Sequence, residues 1–342
     1  MEKTQLHCTV DYQKPGKQHG HLCVPYSYNM AGWANLMLPI TVISNGSGPT
    51  ALVMAGNHGD EYPGQVAILK LIRELQPQQI KGRLILVPCL NMPACKASTR
   101  LSPLDGKNMN RAFPGKADGT VTDMIAHYLT TVLFPLADIV VDMHTGGRST
   151  DFFPCAHMHL VPDMEQRRKM AAGTLAWGSD VAFLYTDIAG TGLLPVEAER
   201  QGKIVITTEM GGGETVTAPV HKLTQRGLRN VLIHFGIIQG EEVVTRAKQG
   251  LPPTKWVQSL DRDDYRFAPE SGLYETLCSI GEEVSDGQAV GLIHFIERPE
   301  REPIPVVAPK AGILIASRSP SLCSQGDCVA VIAHAVPPGV VD

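Results

Sequence analysis

Short apolar runs that alternate with helical patterns over about the first 245 residues constrain the fold of this chain more than any other feature. Four such runs, each rich in β-branched or long aliphatic side chains, cover residues 49–55, 83–87, 138–142 and 203–208. Continuous runs of this length are typical of strands that are buried on both faces of a sheet. Helices between the strands would cover those faces, so the pattern predicts an α/β fold with a sheet flanked by helices.

Apolar periodicity predicts the helices of this α/β fold. The first follows the 49–55 run, ends before Pro77, and buries one face made of Val66, Leu69, Ile72 and Leu75. The second begins at Thr122 as its N-cap and buries Ile125, Leu129 and Leu133. A third helix near residues 221–234 is expected to close the α/β domain.

The composition changes after residue 248, where a glycine- and proline-rich stretch at 249–253 is typical of a linker. Beyond it, short runs separated by glycines predict strands and turns. A chain of 342 residues is also longer than an ordinary single domain. We therefore expect an α/β domain over residues 1–248 and a small all-β, barrel-sandwich-like domain over residues 254–342.

One phrase in the predicted β domain raises the alternative of a cofactor carrier. Residues 281–288 resemble the turns of biotinyl and lipoyl carrier barrels. Such a carrier needs an exposed lysine at the tip of a hairpin, and the nearby candidate is Lys310. The stretch around Lys310 resembles an ordinary strand entry of those barrels, which disfavours a carrier role.

Charge and composition disfavour several kinds of partner. The formal net charge of −4 offers no basic surface for nucleic acid, and no apolar run approaches the roughly 20 residues needed to cross a bilayer. The first residues lack the apolar segment of a secretory signal, so a cytoplasmic location is expected. The eight cysteines contain no Cys-x-x-Cys pair, which disfavours a structural zinc ribbon.

Polar side chains that suit a metal follow three of the four predicted strands. His58 and Glu61 come after the first strand, His144 after the third, and Glu209 after the fourth. Ligands of open α/β sheets bind beyond the carboxyl ends of strands, so these side chains are expected to meet there. Each histidine alone is more often a satisfied polar residue. Two histidines and one carboxylate together form a catalytic zinc site with an open position, beside which a second carboxylate can act as a general base.

A long polar loop over residues 100–115 forms a second cluster. Loops of this length are uncommon unless they are functional or disordered. Asn110 and Arg111 stand side by side and offer amide and guanidinium donors, which suit the carboxylate of a ligand. The alternative is a solvated surface loop with an incidental arginine.

Four phrases of the sequence, GNHGDE, NMNRAFPG, DMHTGG and TTEMGGG, together resemble the succinylglutamate desuccinylase and aspartoacylase family of zinc carboxypeptidase-like proteins. They occur in the family's order, and the resemblance covers most of residues 45–240. It implies a zinc-carboxypeptidase-like mixed sheet flanked by helices, one Zn²⁺ per chain, and hydrolysis of the N-acyl amide of an amino acid.

The resemblance also implies a role for each candidate residue. The zinc ligands of the family correspond to His58, Glu61 and His144. The residue that activates water corresponds to Glu209, and those that hold the substrate carboxylate correspond to Asn110 and Arg111. Arg100 is similar to a second arginine of the family that helps to polarise the scissile carbonyl.

Longer phrases are similar to a branch of the family that deacetylates Nα-acetyl-L-2,4-diaminobutyrate in ectoine breakdown. They cover residues 20–22, 24–27, 57–62, 108–115, 118–122 and 227–230. The expected partner is thus a small N-acyl amino acid, and homo-oligomerisation stays open. The alternatives are a deacylase of another substrate, similar to succinylglutamate or acetylaspartate, and a metal-binding protein without catalysis.

Further residues are candidates without an assigned role. Tyr62, Tyr185 and Asp187 are candidates for lining the substrate pocket. Asp138 and Asp142 lie at the two ends of one predicted strand, where either could hydrogen-bond a ligand histidine. Structural hydrogen bonds from these aspartates are an equal alternative.

Overall fold

A computed structural model of the chain describes residues 3–186, 188 and 190–341. Strands of the α/β part are β1 (His7–Cys8), β2 (Gly16–Tyr28), β3 (Ala31–Asn45), β4 (Thr50–Ala55), β5 (Gly82–Val87), β6 (Ile139–His144), β7 (Thr150–Phe152), β8 (Cys155–Met158), β9 (Val181–Tyr185) and β10 (Ile204–Glu209). Its helices are α1 (Tyr62–Glu74), α2 (Met92–Ala97), α3 (Val121–Tyr128), α4 (Phe134–Leu136), α5 (Met164–Trp177), α6 (Leu194–Arg200) and α7 (Ala218–His234). Among these described residues, no helix is long and apolar enough to span a membrane.

The sheet of the α/β part is mixed, as expected. Its strand order is β1-β2-β3-β5-β4-β6-β10-β8-β9. β4 runs parallel to β5 and β6, and β6 runs parallel to β10. β3 is antiparallel to β5, and β8 is antiparallel to β10. Every residue of β4 and β6 is buried, which agrees with the continuous apolar runs that predict these two strands.

Helices cover both faces of this sheet and form two cores. Successive side chains of a strand point to opposite faces, so Leu52 and Val53 of β4 belong to different cores. The Leu52 core includes Ile125 of α3, and the Val53 core includes Ile68 of α1. This two-sided burial confirms the predicted α/β architecture.

The predicted buried face of α1 is wrong except at Leu75, which is fully buried. Leu69 is 42% exposed, and Val66 and Ile72 are only partly buried. Residues that face the core are Gly64, Gln65, Ala67, Ile68 and Leu71. A strict spacing of three drifts by about 60° per step on a helix of 3.6 residues per turn, whereas alternating steps of three and four stay on one face.

The predicted N-cap of α3 is also wrong. Thr120 caps the helix, because its backbone N–H and hydroxyl both donate to the Asp123 carboxylate at 2.9 and 3.0 Å. The Thr122 hydroxyl instead donates to Asp105 at 2.9 Å, which ties the helix start to the preceding loop. The apolar positions predicted for this segment are buried: Ile125, Leu129 and Leu133.

The C-terminal part consists of strands, as predicted. They are β11 (Lys255–Ser259), β12 (Tyr265–Phe267), β13 (Gly272–Thr276), β14 (Glu283–Val284), β15 (Ala289–His294), β16 (Ile304–Val307), β17 (Gly312–Arg318), β18 (Leu322–Cys323) and β19 (Cys328–Ala335). β16, β15, β13 and β18 form a separate antiparallel sheet. Lys310 lies between β16 and β17, which belong to different sheets, so it is not at the tip of a hairpin.

The large sheet continues from the α/β part into the C-terminal part. β11 pairs in parallel with β9, and β19 and β17 extend the order beyond β11. β7, which closely follows His144, pairs with β17. A shared apolar cluster joins the two parts: Cys155, Val181, Phe183, Val257, Ile315, Ala316, Val331 and Ala333. The C-terminal part is therefore packed against the strand ends that carry the candidate site.

Candidate metal centre and active-site cavity

The sheet brings the predicted site residues together at one edge. His144 ends β6 and Glu209 ends β10, and the two residues are directly paired in the parallel register. His58 and Glu61 lie in the loop between β4 and α1. β6 lies between β4 and β10 in the sheet, so the three strand ends are neighbours. The predicted convergence of three strand ends is thus present in the fold.

Glycine is required where the His58 loop turns. The Gly59 N–H donates to the Thr99 carbonyl at 2.9 Å, which holds the loop against the segment that follows α2. A Cβ atom at Gly59 would lie 2.0 Å from the carbonyl carbon of Ala94. Gly56 has a φ of +68°, a backbone conformation that residues with a side chain rarely adopt. Backbone packing therefore fixes the turn that carries His58 and Glu61.

His58, Glu61 and His144 form a compact buried cluster. The Nδ1 atoms of His58 and His144 lie 2.8 and 2.9 Å from the two carboxylate oxygens of Glu61. One ligand atom from each of the three residues lies within 4.8 Å of the others, so the cluster could hold a metal ion. All three side chains are less than a tenth exposed.

Outer hydrogen bonds orient both histidines. His58 Nε2 donates to Asn108 Oδ1 at 3.0 Å, and His144 Nε2 donates to Asp142 Oδ2 at 2.8 Å. Of the two candidate aspartates, Asp142 thus contacts one of the candidate ligand histidines, whereas Asp138 accepts from the backbone N–H of Thr50 at 2.8 Å. Partners of this kind fix the tautomer of a metal-binding imidazole.

The donor set fits a metal such as zinc. With both Nε2 atoms donating outward, neutral imidazoles present their Nδ1 lone pairs to the Glu61 carboxylate. Lone pairs and a carboxylate that face one another at such short range repel unless protons or a cation neutralise them. Two imidazole nitrogens and one carboxylate oxygen are also a ligand set that zinc uses in catalytic sites.

Burial and neighbouring charges shift the pKa values of all three residues of the cluster. Burial acts to raise the pKa of Glu61, but the two histidines outweigh it and hold the pKa well below its usual range. Burial lowers the pKa of His58. For His144 burial acts in the same direction, but Asp142 and Glu61 outweigh it and raise the pKa well above its ordinary value.

Glu209 lies beside the cluster without belonging to it. Its Oε2 atom has no hydrogen-bond partner among the residues that the structure describes. Burial, and then the negative charge of Glu61, raise the pKa of Glu209 to about 8. A carboxyl group with a free oxygen and a pKa near neutrality is suited to exchange protons with a water molecule.

Arg100 approaches the cluster from the segment that follows α2. Its Nη1 atom lies 3.3 Å from His58 Nδ1 and 3.5 Å from Glu61 Oε1. The side chain is 44% exposed and faces the same cavity. Its positive charge is thus placed where it could stabilise negative charge that develops near these residues.

Asn110 and Arg111 line the cavity on the loop that also carries Asn108. Asn110 Oδ1 accepts from the Leu194 N–H at 2.8 Å, which leaves the amide NH₂ group as the donor end. Arg111 Nη1 donates to the Asn110 carbonyl oxygen at 2.7 Å. Asn108 Oδ1 accepts from the Asn110 N–H at 2.9 Å, so one side chain couples this loop to His58.

One cavity of about 400 Å³ is lined by all of the predicted site residues: His58, Glu61, Arg100, Asn110, Arg111, His144 and Glu209. The C-terminal part closes one side of it with residues of β12, β17 and β19, among them Tyr265, Ser317, Arg318 and Val331. Sequence reasoning missed these residues because no local pattern indicates which side chains of a separate segment will face a site. It also missed Asn108, whose position two residues before Asn110 is the available signal.

The three pocket candidates have different outcomes. Tyr185 lines the cavity. Tyr62 is not among the described residues that line it, and its hydroxyl donates to Ser98 Oγ at 2.7 Å. Asp187 lies outside the described residues.

Comparison with known proteins gives concordant matches. The family model of the succinylglutamate desuccinylase/aspartoacylase catalytic domain matches residues 47–235. N-alpha-acetyl-L-2,4-diaminobutyric acid deacetylase of Halomonas elongata is 40% identical over 331 residues, which cover 97% of this chain and 95% of the relative.

Solved structures agree along nearly the whole chain. The product-bound ectoine utilization protein EutE (DoeB) from Ruegeria pomeroyi is 37% identical, with a TM-score of 0.93 and coverage of 98% of this chain and 100% of that one. A succinylglutamate desuccinylase from Silicibacter sp. TM1040 is 39% identical, with a TM-score of 0.92 and the same coverage. The chain therefore belongs to the succinylglutamate desuccinylase/aspartoacylase family, as its sequence motifs predict.

Proposed function

We propose that this chain is a zinc-dependent deacetylase that hydrolyses Nα-acetyl-L-2,4-diaminobutyrate to acetate and L-2,4-diaminobutyrate in ectoine breakdown. The reaction class rests on one observation: the His58–Glu61–His144 cluster shares a cavity with Glu209, whose Oε2 is unpartnered among the described residues. The substrate is supported by the similarity, over almost the full chain, to a deacetylase of that name and to an ectoine utilization protein.

In this proposal the zinc ligands are His58, Glu61 and His144. When bound, zinc supplies a Lewis acid that acidifies a water molecule and polarises the scissile carbonyl. Asn108 and Asp142 hold the two imidazoles in the tautomer that binds a metal through Nδ1.

Glu209 acts as the general base and then as the general acid. It takes a proton from the water that attacks the acetyl carbonyl, and it passes this proton to the nitrogen of the departing amine. The C–N bond breaks as the amine leaves, and acetate retains the oxygen of the water. Arg100, next to Glu61 and His58, stabilises the negative charge that develops on the carbonyl oxygen.

Asn110 and Arg111 bind the α-carboxylate of the substrate. The Asn110 side chain is fixed by Leu194, and Arg111 is fixed in part by the Asn110 carbonyl. Donors that are held in place before binding lose little freedom when the ligand arrives, so they orient the amide for attack.

The first experiment is acetate release from Nα-acetyl-L-2,4-diaminobutyrate by purified protein, with the metal content measured on the same sample. We expect one zinc per chain, turnover that is lost on chelation, and recovery when zinc is returned. One zinc per chain without acetate release would exclude this substrate and direct the assay to other N-acyl amino acids, such as N-succinylglutamate. Metal-free protein that still releases acetate at the full rate would refute the zinc mechanism.

A further inference from the structure

His157 is a buried polar residue of the cavity that the mechanism above does not use. It lies on β8, is 4% exposed, and lines the same cavity as Glu209. In the antiparallel register of β8 and β10 it is paired directly with Thr207, which lies two residues before Glu209. Residues two apart on a strand point to the same face, so His157, Thr207 and Glu209 share the face that lines the cavity.

The hydrogen bonds of His157 determine which ring nitrogen carries the proton. The Thr207 hydroxyl donates its single proton to the His157 carbonyl oxygen at 2.8 Å. The same hydroxyl oxygen lies 2.7 Å from His157 Nδ1, and both contacts are hydrogen bonds at once when Nδ1–H donates to the hydroxyl oxygen. In the neutral ring Nε2 is left with a lone pair and acts as an acceptor.

This acceptor has no partner within the described part of the chain. His157 Nε2 is buried and makes no hydrogen bond to any described residue. Leaving a buried polar atom without a hydrogen-bond partner costs about 1–3 kcal/mol of folding free energy. An unpartnered acceptor in a cavity wall therefore indicates a ligand that supplies a donor.

The surroundings select the kind of donor. The Tyr185 ring stands edge-to-face with the His157 ring at a centroid distance of 4.8 Å, and Phe183 stacks on Tyr185 at 5.9 Å. Burial, and then the nearby His159 and His144, keep the pKa of His157 well below its ordinary value, so the ring is neutral. A neutral acceptor beside aromatic rings suits a cationic N–H donor, and its lone pair repels a carboxylate.

We propose that His157 Nε2 accepts a hydrogen bond from the side-chain ammonium of the bound substrate and thereby determines specificity for a diamino acid. The inference rests on the proposed function, because it names the group of the substrate that this wall of the cavity recognises. Asn110 and Arg111 hold the α-carboxylate and Glu209 serves the amide, which leaves the acetyl methyl group and the amino acid side chain for the remaining walls of the cavity. Of these two parts, the side-chain ammonium is the one that carries an N–H donor for the His157 acceptor. The same residue disfavours substrates with an acidic side chain, such as N-acetylaspartate.

The test compares two amides that differ only in the side-chain amine. These are Nα-acetyl-L-2,4-diaminobutyrate and Nα-acetyl-L-2-aminobutyrate, each assayed for kcat and KM. We expect the native protein to prefer the diamino substrate in kcat/KM by between about ten- and a hundredfold, the effect of one hydrogen bond to a charged group. His157→Phe removes the acceptor at similar volume, so it should abolish the preference by raising KM for the diamino substrate, with little effect on the other.

Three further variants separate recognition from structural damage. His157→Gln retains an acceptor and should recover part of the preference. Thr207→Val removes the hydroxyl that fixes the tautomer, so it should also reduce the preference for the diamino substrate. This variant provides the test if His157→Phe does not fold. His159→Phe is the matched control, because His159 also contacts the Tyr185 ring but lines a neighbouring cavity, and it should leave the preference unchanged.

The outcomes distinguish the two proposals. If the native protein hydrolyses neither amide, the proposed function fails. If it hydrolyses the diamino substrate and His157→Phe keeps the native preference, the function stands and the role of His157 is wrong. Loss of preference in His159→Phe to the same extent would also overturn the inference, because the effect would then not depend on the Nε2 acceptor.

Discussion

At the residue scale, the two aspartates near the ends of β6 give a matched pair of variants. Asp142→Asn removes the carboxylate that orients His144, and it should weaken zinc binding by about 10–100-fold. Asp138→Asn alters a carboxylate that accepts from the Thr50 backbone, so zinc affinity should stay within about threefold of the native value. Competition with a chromophoric chelator measures both. Equal losses in the two variants would show that Asp142 acts through stability alone.

Glu209 should be separable from metal binding. Glu209→Gln keeps the shape of the side chain but cannot take a proton, so kcat should fall by about 10²–10⁴-fold while the protein still binds one zinc. Glu214→Gln is a suitable control, because Glu214 pairs with Arg148 and is not among the residues that line the cavity. A Glu209→Gln enzyme with a nearly native kcat would remove Glu209 from the role of base.

Zinc binding should release protons near neutral pH. Without metal, the pKa of Glu209 is raised to about 8, so this group is mostly protonated at pH 7, and Asp142 and Glu61 raise the pKa of His144 as well. A ligand imidazole must lose its proton, and a nearby cation lowers the pKa of Glu209, so affinity should rise with pH up to about 8. Calorimetry in buffers of different ionisation enthalpy should show about one proton fewer for Glu209→Gln. Affinity that is constant between pH 6 and 8 would contradict this reasoning.

Residues that the sequence identifies differ physically from those it misses. His58, His144 and Glu209 were predictable because each follows an apolar strand, and strand ends of one sheet meet at one edge. Asn108 and His157, in contrast, are connected to the candidate site through hydrogen bonds to residues far away in sequence, His58 and Thr207. A lone polar residue in a loop or a strand has no periodicity or spacing that indicates such a partner.

At the element scale, the corrected face of α1 gives a direct test. Ile68 is fully buried and Leu69 is 42% exposed, although the two are neighbours in sequence. Ile68→Ala should lower the free energy of unfolding by about 2–5 kcal/mol, whereas Leu69→Ala should change it by less than about 1 kcal/mol. Denaturant unfolding of both variants measures the difference. The opposite order would restore the face that the three-residue spacing predicts.

The strands with continuous apolar runs were placed more accurately than the helix details for a physical reason. A strand buried on both faces requires an unbroken apolar run, which any reading of the sequence finds, as in β4 and β6. A helix start depends on which of several nearby hydroxyls forms the capping contacts. Thr120 and Thr122 are both suitable, and the partner of Thr122 is Asp105, which lies in the preceding loop, beyond the helix itself. That choice is made by tertiary contacts, which local pattern does not contain.

At the scale of the whole molecule, the C-terminal strands complete the cavity. β12, β17 and β19 supply part of its lining, and β7 joins the turn after His144 to β17. The change in composition after residue 248 predicts an additional all-β segment, but it does not predict that β11 extends the sheet beside β9. Pairing between segments far apart in sequence depends on the assembled fold.

This continuity predicts one cooperative unfolding transition, although the sequence suggests two domains. The cores of the α/β part, of the C-terminal part and of the cluster between them each contain a fully buried isoleucine: Ile68, Ile293 and Ile315. If the shared cluster couples the two parts, alanine at any of the three should lower the Tm of the same single calorimetric transition by several degrees, because each substitution costs about 2–5 kcal/mol. Independent domains would instead give two transitions, and Ile293→Ala would move one of them while Ile68→Ala moved the other. Ile315→Ala decides between the alternatives. This substitution in the shared cluster weakens both parts at once only if the cluster couples their unfolding.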